Sequence, residues 1–539
     1  MDDFIDAFDD GTPGSGKFRM VVNTMNISNS LFTYTDYNLK TSKVLYFTNL
    51  NGKLEDFKIK GSDVTTNIKS LALKDHRGLE IKELASKFTY TKTNIFLDEL
   101  AMKSVNSEIK GKIQLKYIRE DFKDFNNKVV FDVQFDKATI ASNDLNYFYN
   151  EFGTNNKFYV DTHLTGTLNN FTTENLTLID SNYSEIVGNV TFKNLFSKTE
   201  NEFQIIGNFN RITSDYEKLK KIMPKVLGER LPSSLAVLGS FDINGTMDLT
   251  YNDINADVTM LSELGYLKSN LYIDNLSNID RAKYKGNIVL DKFDLGRLVG
   301  ENMVGKTTLN LDVDGQGFTK KYLDTKLSGN LAAFYFNGYN YQNIEVDGEL
   351  KMPYFKGYFN SNDKNLKMDF DGVVDLSKKS KNYNFKAQID YADLKILNIY
   401  TKDSISIIKG IVDVDATGNS VDELYGSLNV KNLYYQNNKD FYFFDDFNLE
   451  STFDENRERT ITVESPDIIR GKVVGKFKFN QLQKLLENAV GSLYANYSPN
   501  KLLPNQYMNF DFTIYNKVIG ALFPNVEVGE NTRLKGKII

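Results

Sequence analysis

Residues 366–376 read Leu366-Lys367-Met368-Asp369-Phe370-Asp371-Gly372-Val373-Val374-Asp375-Leu376. Leu366, Met368, Phe370, Val374 and Leu376 fall in one phase with Gly372, and Lys367, Asp369, Asp371 and Asp375 fall in the other. Successive side chains of a strand point to opposite faces, so the spacing predicts a strand with one apolar and one wet face. The pattern returns at Tyr383, Phe385, Ala387 and Ile389 against Asn384, Lys386 and Gln388. It returns again at Leu309, Leu311 and Val313 against Asn310, Asp312 and Asp314. One-sided alternation belongs to antiparallel or solenoidal sheet, because a buried parallel strand is apolar on both faces. The charged face also discourages lateral aggregation.

Composition points the same way. Among 539 residues, Phe (39) and Tyr (31) are abundant and Pro (8) is scarce, which favours sheet. Lys+Arg total 65 against 71 Asp+Glu, a net charge of -6 with no basic cluster, so nucleic-acid backbones are not the expected partner. With no cysteine, disulfides, thiolate zinc sites and cysteine nucleophiles are excluded. That absence fits a periplasmic or a cytosolic chain. No run approaches the roughly 20 apolar residues that span a bilayer, and Met1-Asp2-Asp3-Phe4 does not open a signal peptide. The chain is expected to be either cytosolic or a piece of something longer.

Helical signal is confined to two short stretches. Ser214 to Gly228 offers Ser214 as a cap, Glu217 three residues on, and a stripe of Leu219, Ile222, Met223 and Val226, with Pro224 shortening it. Asn480 to Gly491 places Leu482, Leu485, Leu486 and Val490 on one face and stops on glycine.

Internal repeats organise the rest. Ser107-Glu108-Ile109-Lys110-Gly111 recurs 77 residues on as Ser184-Glu185-Ile186-Val187-Gly188, and the glycine is read as opening a strand. Gly286, Gly372 and Gly475 repeat that role. A second motif is read as ending a strand with an apolar residue and Asp or Asn before a Leu-bearing helical turn. Its copies are Phe135-Asp136, Phe209-Asn210, Leu290-Asp291, Ile389-Asp390 and Phe479-Asn480. Asp312-Val313-Asp314 with Gly317 pairs with Asp413-Val414-Asp415 with Gly418. The units drift, bounded at roughly 17–127, 128–202, 203–283, 284–382, 383–470 and 471–539 after a flexible segment at 1–16. Hairpins with helical turns at this irregular spacing describe a sheet extended strand by strand. At about 4.8 Å per strand, about thirty strands span on the order of 100 Å.

Further stretches carry a family likeness. They are Phe88-Thr89-Tyr90 through Asp98-Glu99-Leu100 to Gly111, and Asp314-Gly315-Gln316-Gly317 through Leu327-Ser328-Gly329-Asn330 to Tyr339-Asn340-Tyr341-Gln342-Asn343-Ile344. Phe510 to Gly536, with Ala521-Leu522-Phe523-Pro524 and Thr532-Arg533-Leu534-Lys535-Gly536, is a third. With the helical turns, these make residues 17–539 resemble the TamB translocation and assembly module proteins of the Bacteroidetes type, in the AsmA-like superfamily. The likeness is spread-out pattern without one diagnostic signature. It implies an all-β, elongated, folded-over sheet whose apolar groove is open along one edge, with a few short helical plugs. It also implies a non-enzymatic periplasmic role in outer-membrane biogenesis, without cofactors. The expected cargo is phospholipid, outer-membrane protein strands, or both. In such proteins an N-terminal anchor holds the inner membrane, and a C-terminal domain meets an outer-membrane barrel partner of the Omp85 type. Neither part is recognised here, so the chain reads as a middle piece.

The remaining motifs weigh less. Gly11-Thr12-Pro13-Gly14-Ser15-Gly16-Lys17 matches most of a phosphate-binding loop, but Phe18 stands where Ser or Thr holds magnesium and no helix follows, so no nucleotide is expected. Asp312 and Asp314 hint at a calcium loop whose twelfth position is Leu323 instead of an acid. The histidines, His76 and His163, sit in no ligand or triad pattern and are expected in turns or on the surface. No carboxylate pair is singled out for glycoside hydrolysis, and the lack of Trp counts mildly against sugar stacking. The apolar faces are therefore the candidate surface, with Leu309, Leu311, Val313, Leu366, Met368, Phe370, Val374, Leu376, Tyr383, Phe385 and Ile389 expected to line it. Period two alone does not separate an open groove from the sealed core of a structural solenoid or stalk.

Overall fold

The computed structural model describes residues 18–36, 43–148, 153–195, 203–222, 224, 233–319, 321–377, 379–491, 496, 498–515, 529 and 531–538. The glycine-rich stretch at 11–17 and Ala521-Leu522-Phe523-Pro524 lie outside these residues. Strand makes up 67% of the described residues and helix 10%, so the protein is all-β. Contacts divide the chain into two units, Met1–Ser277 and Asn278–Ile539. The division falls inside the repeat bounded at 203–283.

The first unit opens with β1 (Arg19–Asp36), β2 (Lys43–Lys60), β3 (Asp63–Asp75), β4 (Glu80–Thr91), β5 (Asn94–Ser104), β6 (Glu108–Lys116) and β7 (Val130–Ala141). It continues with β8 (Lys157–Thr167), β9 (Phe171–Asp180), β10 (Glu185–Lys193), β11 (Gln204–Asp215), β12 (Ser240–Thr250), β13 (Asp253–Ser262) and β14 (Gly265–Asp274). Each strand pairs antiparallel with its neighbours in sequence. Short helices interrupt the meander: α1 (Phe125–Lys128), α2 (Ser142–Leu145) and α3 (Tyr216–Ile222).

The second unit begins with β15 (Lys283–Asp294), α4 (Leu295–Val299), β16 (Val304–Gln316), β17 (Asp324–Phe336), β18 (Tyr339–Lys351), β19 (Tyr354–Asn362) and β20 (Leu366–Asp375). Then come β21 (Asn382–Asp393), β22 (Ile407–Thr417), β23 (Tyr425–Gln436), β24 (Phe441–Phe453), β25 (Arg459–Glu464), β26 (Ile469–Lys476), α5 (Leu482–Gly491), β27 (Tyr507–Ile514) and β28 (Thr532–Ile538). The same sequential antiparallel pairing runs through it. The sheet is open and does not close into a barrel.

The repeated motifs acquire physical meanings that differ from their linear reading. The glycines do not open strands: Gly111, Gly188, Gly286, Gly372 and Gly475 lie within β6, β10, β15, β20 and β26. Gly372 has φ 145°, and a Cβ there would sit 2.4 Å from the Phe385 Cα on β21, so only glycine fits. Gly111 faces Phe135, Gly188 faces Phe209, and Gly372 faces Phe385. In four of its five copies the apolar-Asp/Asn motif does not end a strand either, while the fifth, Phe479-Asn480, lies beyond β26 in a helical turn. At Phe135, Phe209, Leu290 and Ile389 the register slips, so four copies mark a β-bulge, after which the strand continues. Helices α2, α3 and α4 then follow β7, β11 and β15 directly.

The repeated serine ties the next strand down. Ser107 Oγ accepts from the Ala141 N–H at 2.9 Å and donates to Asp144 in α2 at 2.6 Å, while Ser184 and Ser214 share a hydroxyl hydrogen bond of 2.8 Å. Ser214 therefore lies buried in β11 and does not cap a helix. The cap is Asp215, whose carboxylate accepts the Lys218 N–H at 2.8 Å. The expected helix spans Tyr216–Ile222 with Pro224 in the turn beyond it; Met223 and 225–228 lie outside the described residues.

Candidate functional site

Registers in the second unit align the apolar phases of successive strands into continuous rows. Phe370 faces Phe359 on β19 and Ala387 on β21. Phe359 faces Val346, and Ala387 leads through Val412 and Val430 to Phe447. In the other direction Val346 faces Gly329, which faces Leu311. A second row passes from Val313 through Leu327 to Gly348, Gly357, Gly372 and Phe385. Val374 and Tyr383 pair in a third row, and Leu309 joins Met368 and Ile389 in a fourth by way of Leu331, Ile344 and Ser361.

Ten of the eleven expected lining residues thus fall on one face: Leu309, Leu311, Val313, Leu366, Met368, Phe370, Val374, Tyr383, Phe385 and Ile389. Leu376 does not. It follows the last residue of β20, its N–H donates to the Pro353 carbonyl at 3.0 Å, and it is 38% exposed. Phe355, Phe359, Val412, Val414 and Leu428 share the face and were missed. Their strands alternate as clearly as β20 does, and the signal was present at Tyr354–Asn362 and Ile407–Thr417.

The face is covered at one end of its strands and half-open over their middles. Leu366, Ala392 and Leu397 form a buried cluster beneath the turn after β21, with Leu397 0% exposed. Phe293 and Thr307 are likewise buried beside α4. Phe355, Phe359, Phe370, Val374, Tyr383, Phe385 and Val414 remain only half-buried. The Phe370 ring lies 6.0 Å from Phe355 and 5.2 Å from Phe385, centroid to centroid. The opposite face alternates charge, Asp371 facing Lys386 and Lys386 facing Asp413.

Two buried polar side chains near the apolar face are paired within the fold, whereas the buried Ser406 hydroxyl beside Leu394 has no partner among the described residues. Asp363 is buried and accepts from Tyr339 Oη at 2.6 Å and the Gln342 N–H at 3.0 Å; burial and this bond push the Tyr339 phenol up to about 12. Arg459, which the sequence reading missed, is buried between the Phe453 and Phe479 rings. It donates to Ser451 Oγ at 2.9 Å and to the Val421 and Leu424 carbonyls at 2.9 and 2.6 Å. Burial lowers its pKa, with Asp422 pulling the other way.

The other motif residues sit on the wet face or in turns. Asp314 pairs with Lys285 at 3.0 Å, and Asp312 accepts from Asn287 Nδ2 at 2.9 Å. His163 lies between Asp132 and Glu174 at 2.9 and 3.6 Å, and His76 beside Asp75 at 3.3 Å. Among the described residues no cluster of three or more His, Asp or Glu is arranged to hold a metal ion, and no helix is long and apolar enough to cross a membrane.

No family model, curated protein or solved structure matches the chain.

Proposed function

We propose that this protein is a non-enzymatic β-groove that keeps apolar cargo out of water, in the periplasmic, TamB-like setting its sequence resembles. There it serves outer-membrane biogenesis by shielding phospholipid acyl chains, outer-membrane protein strands, or both. One observation carries the reading: in-register apolar rows run across successive strands of the second unit and stay half-open at Phe355, Phe370, Phe385 and Val414. A sealed core would bury such mid-strand residues completely. Acyl chains are held by area and shape, at roughly 0.8 kcal/mol per buried methylene. Successive rungs of similar composition offer similar energy, so cargo slides and is not trapped. The paired state of Asp363 and Arg459 also supports a surface that works without polar recognition.

The test is solvent extraction and native mass spectrometry of purified residues 1–539. Several phospholipids per chain are expected, lost when Phe370→Glu and Phe385→Glu are introduced together. A lipid-free, monodisperse chain would favour the structural solenoid instead.

A further inference from the structure

The row that passes through Phe385 does not end on the half-open strands. It continues through Val414, Leu428 and Leu449 to Val463, Gly471 and Phe512, and reaches Leu534 on β28. Burial along it rises and falls. Phe385, Val414 and Leu428 are half-buried, Val463 is buried, Phe512 is half-buried again, and Leu534 is 41% exposed.

The cover over the middle of this row is α5. Leu485, 2% exposed, packs into one cluster with Ile461, Val463, Val473, Phe477 and Met508, and Leu482 leans on the same cluster. The helix therefore stands on the apolar row, with the row continuing on either side of it. Amide hydrogen bonds tie the helix and the turn before it to the segment that follows. Asn488 Nδ2 donates to the Asn500 carbonyl at 2.9 Å, and Asn488 Oδ1 accepts the Asn500 N–H at 2.7 Å. Gln481 Oε1 accepts the Leu503 N–H at 3.1 Å and Gln506 Nε2 at 2.5 Å. A helix of ten residues is marginal in isolation and owes its stability to what it packs on.

We propose that α5 is a displaceable plug that closes the apolar row at β25 and β26 while the row is empty, and that an acyl chain advancing from β23 takes the place of Leu482 and Leu485. This rests on the groove reading. The exchange is near balance because the helix and the cargo offer the row the same chemistry, aliphatic carbon over aliphatic carbon. The side-chain amide bonds at Gln481 and Asn488 set how readily the plug leaves.

Because the chain has no cysteine, a single Phe385→Cys or Val473→Cys change carries an environment-sensitive fluorophore without background. The probe is doxyl-stearic acid, a spin-labelled fatty acid that quenches on contact. In the otherwise unchanged chain, quenching is expected at position 385 and at least fivefold weaker at 473. Adding Asn488→Ala or Gln481→Ala is expected to raise quenching at 473 to within twofold of 385, with the signal at 385 and the far-ultraviolet circular dichroism unchanged as controls for folding. Equal quenching at both positions before the amides are removed overturns the plug. So does continued protection of 473 with both amides removed, which makes α5 a fixed part of the core. Silence at 385 in every variant overturns the groove reading itself, an outcome separate from the other two.

Discussion

The rings of Phe370 and Phe385 lie 5.2 Å apart on neighbouring strands, although Phe385 is paired in register with Gly372 and Phe370 with Ala387. The contact is diagonal, and the absent side chain at Gly372 leaves the space for it. Phe385 thus fills the place beside a glycine while its ring packs, tilted by 33°, against the next ring along.

This arrangement predicts a coupled pair. Each of Phe370→Ala and Phe385→Ala is expected to cost about 1.5–2.5 kcal/mol, roughly half the range for a fully buried ring. A double-mutant cycle by urea denaturation is expected to return a coupling of about 0.5–1.5 kcal/mol. Strict additivity would mean the rings do not meet.

Gly372→Ala is expected to be worse than its size implies. It forces an L side chain to φ 145° and drives a Cβ to 2.4 Å from the Phe385 Cα, on backbone that has no way to yield. A loss of about 1–3 kcal/mol is expected, read as a lower urea midpoint. Gly61, half-buried but with nothing within 4 Å of its would-be Cβ, is the comparison, and Gly61→Asn is expected to cost far less.

The buried serine of the repeat is a third target. Ser107→Ala strips Asp144 of one donor and leaves the Ala141 N–H without its acceptor, at an expected cost of about 1–3 kcal/mol. Burial tends to raise the pKa of Asp144, but hydrogen bonds from Ser104, Ser107 and Asn106 outweigh it and hold the carboxyl below its ordinary value. A carboxyl depressed in the folded state stabilises above its unfolded pKa, and that contribution is lost as pH falls through the folded value. Urea midpoints from pH 7 down to pH 2 are expected to fall less steeply in Asp144→Asn below about pH 4.

Tyr339 gives the alkaline counterpart. Burial and the Asp363 carboxylate keep its phenol protonated up to about 12. Below about pH 10 the folded and unfolded chains both hold the proton, so stability is unaffected. Above it the unfolded chain releases the proton first, and stability falls until the folded value is passed. Tyr339→Phe is expected to remove that part of the alkaline slope, and an unchanged slope would place the titration elsewhere.

Much of the sheet was legible because period two survives translation into structure without reference to anything distant. Leu366 to Val374 declared its inward phase unaided, and so did Leu309 to Val313. The bulges were not legible, because the extra residues at Asp291-Lys292 interrupt alternation just as a strand end does. The partners of Ser107 and Ser184 were hidden because Asp144 and Ser214 lie 37 and 30 residues away and share no pattern with them. The apolar stripe of α5 was visible in Leu482 and Leu485, but its resting place on the row of Val463 depends on strand registers that no local window contains.

Sequential pairing within each unit has a kinetic side. Each new strand finds its partner in the hairpin just completed, so the chain closes many short loops in place of a few long ones, and short loops are entropically cheap and fast. Order grows by accretion from whichever hairpin forms first. A chain halted partway through synthesis already carries finished hairpins, with only its newest strand waiting for a neighbour.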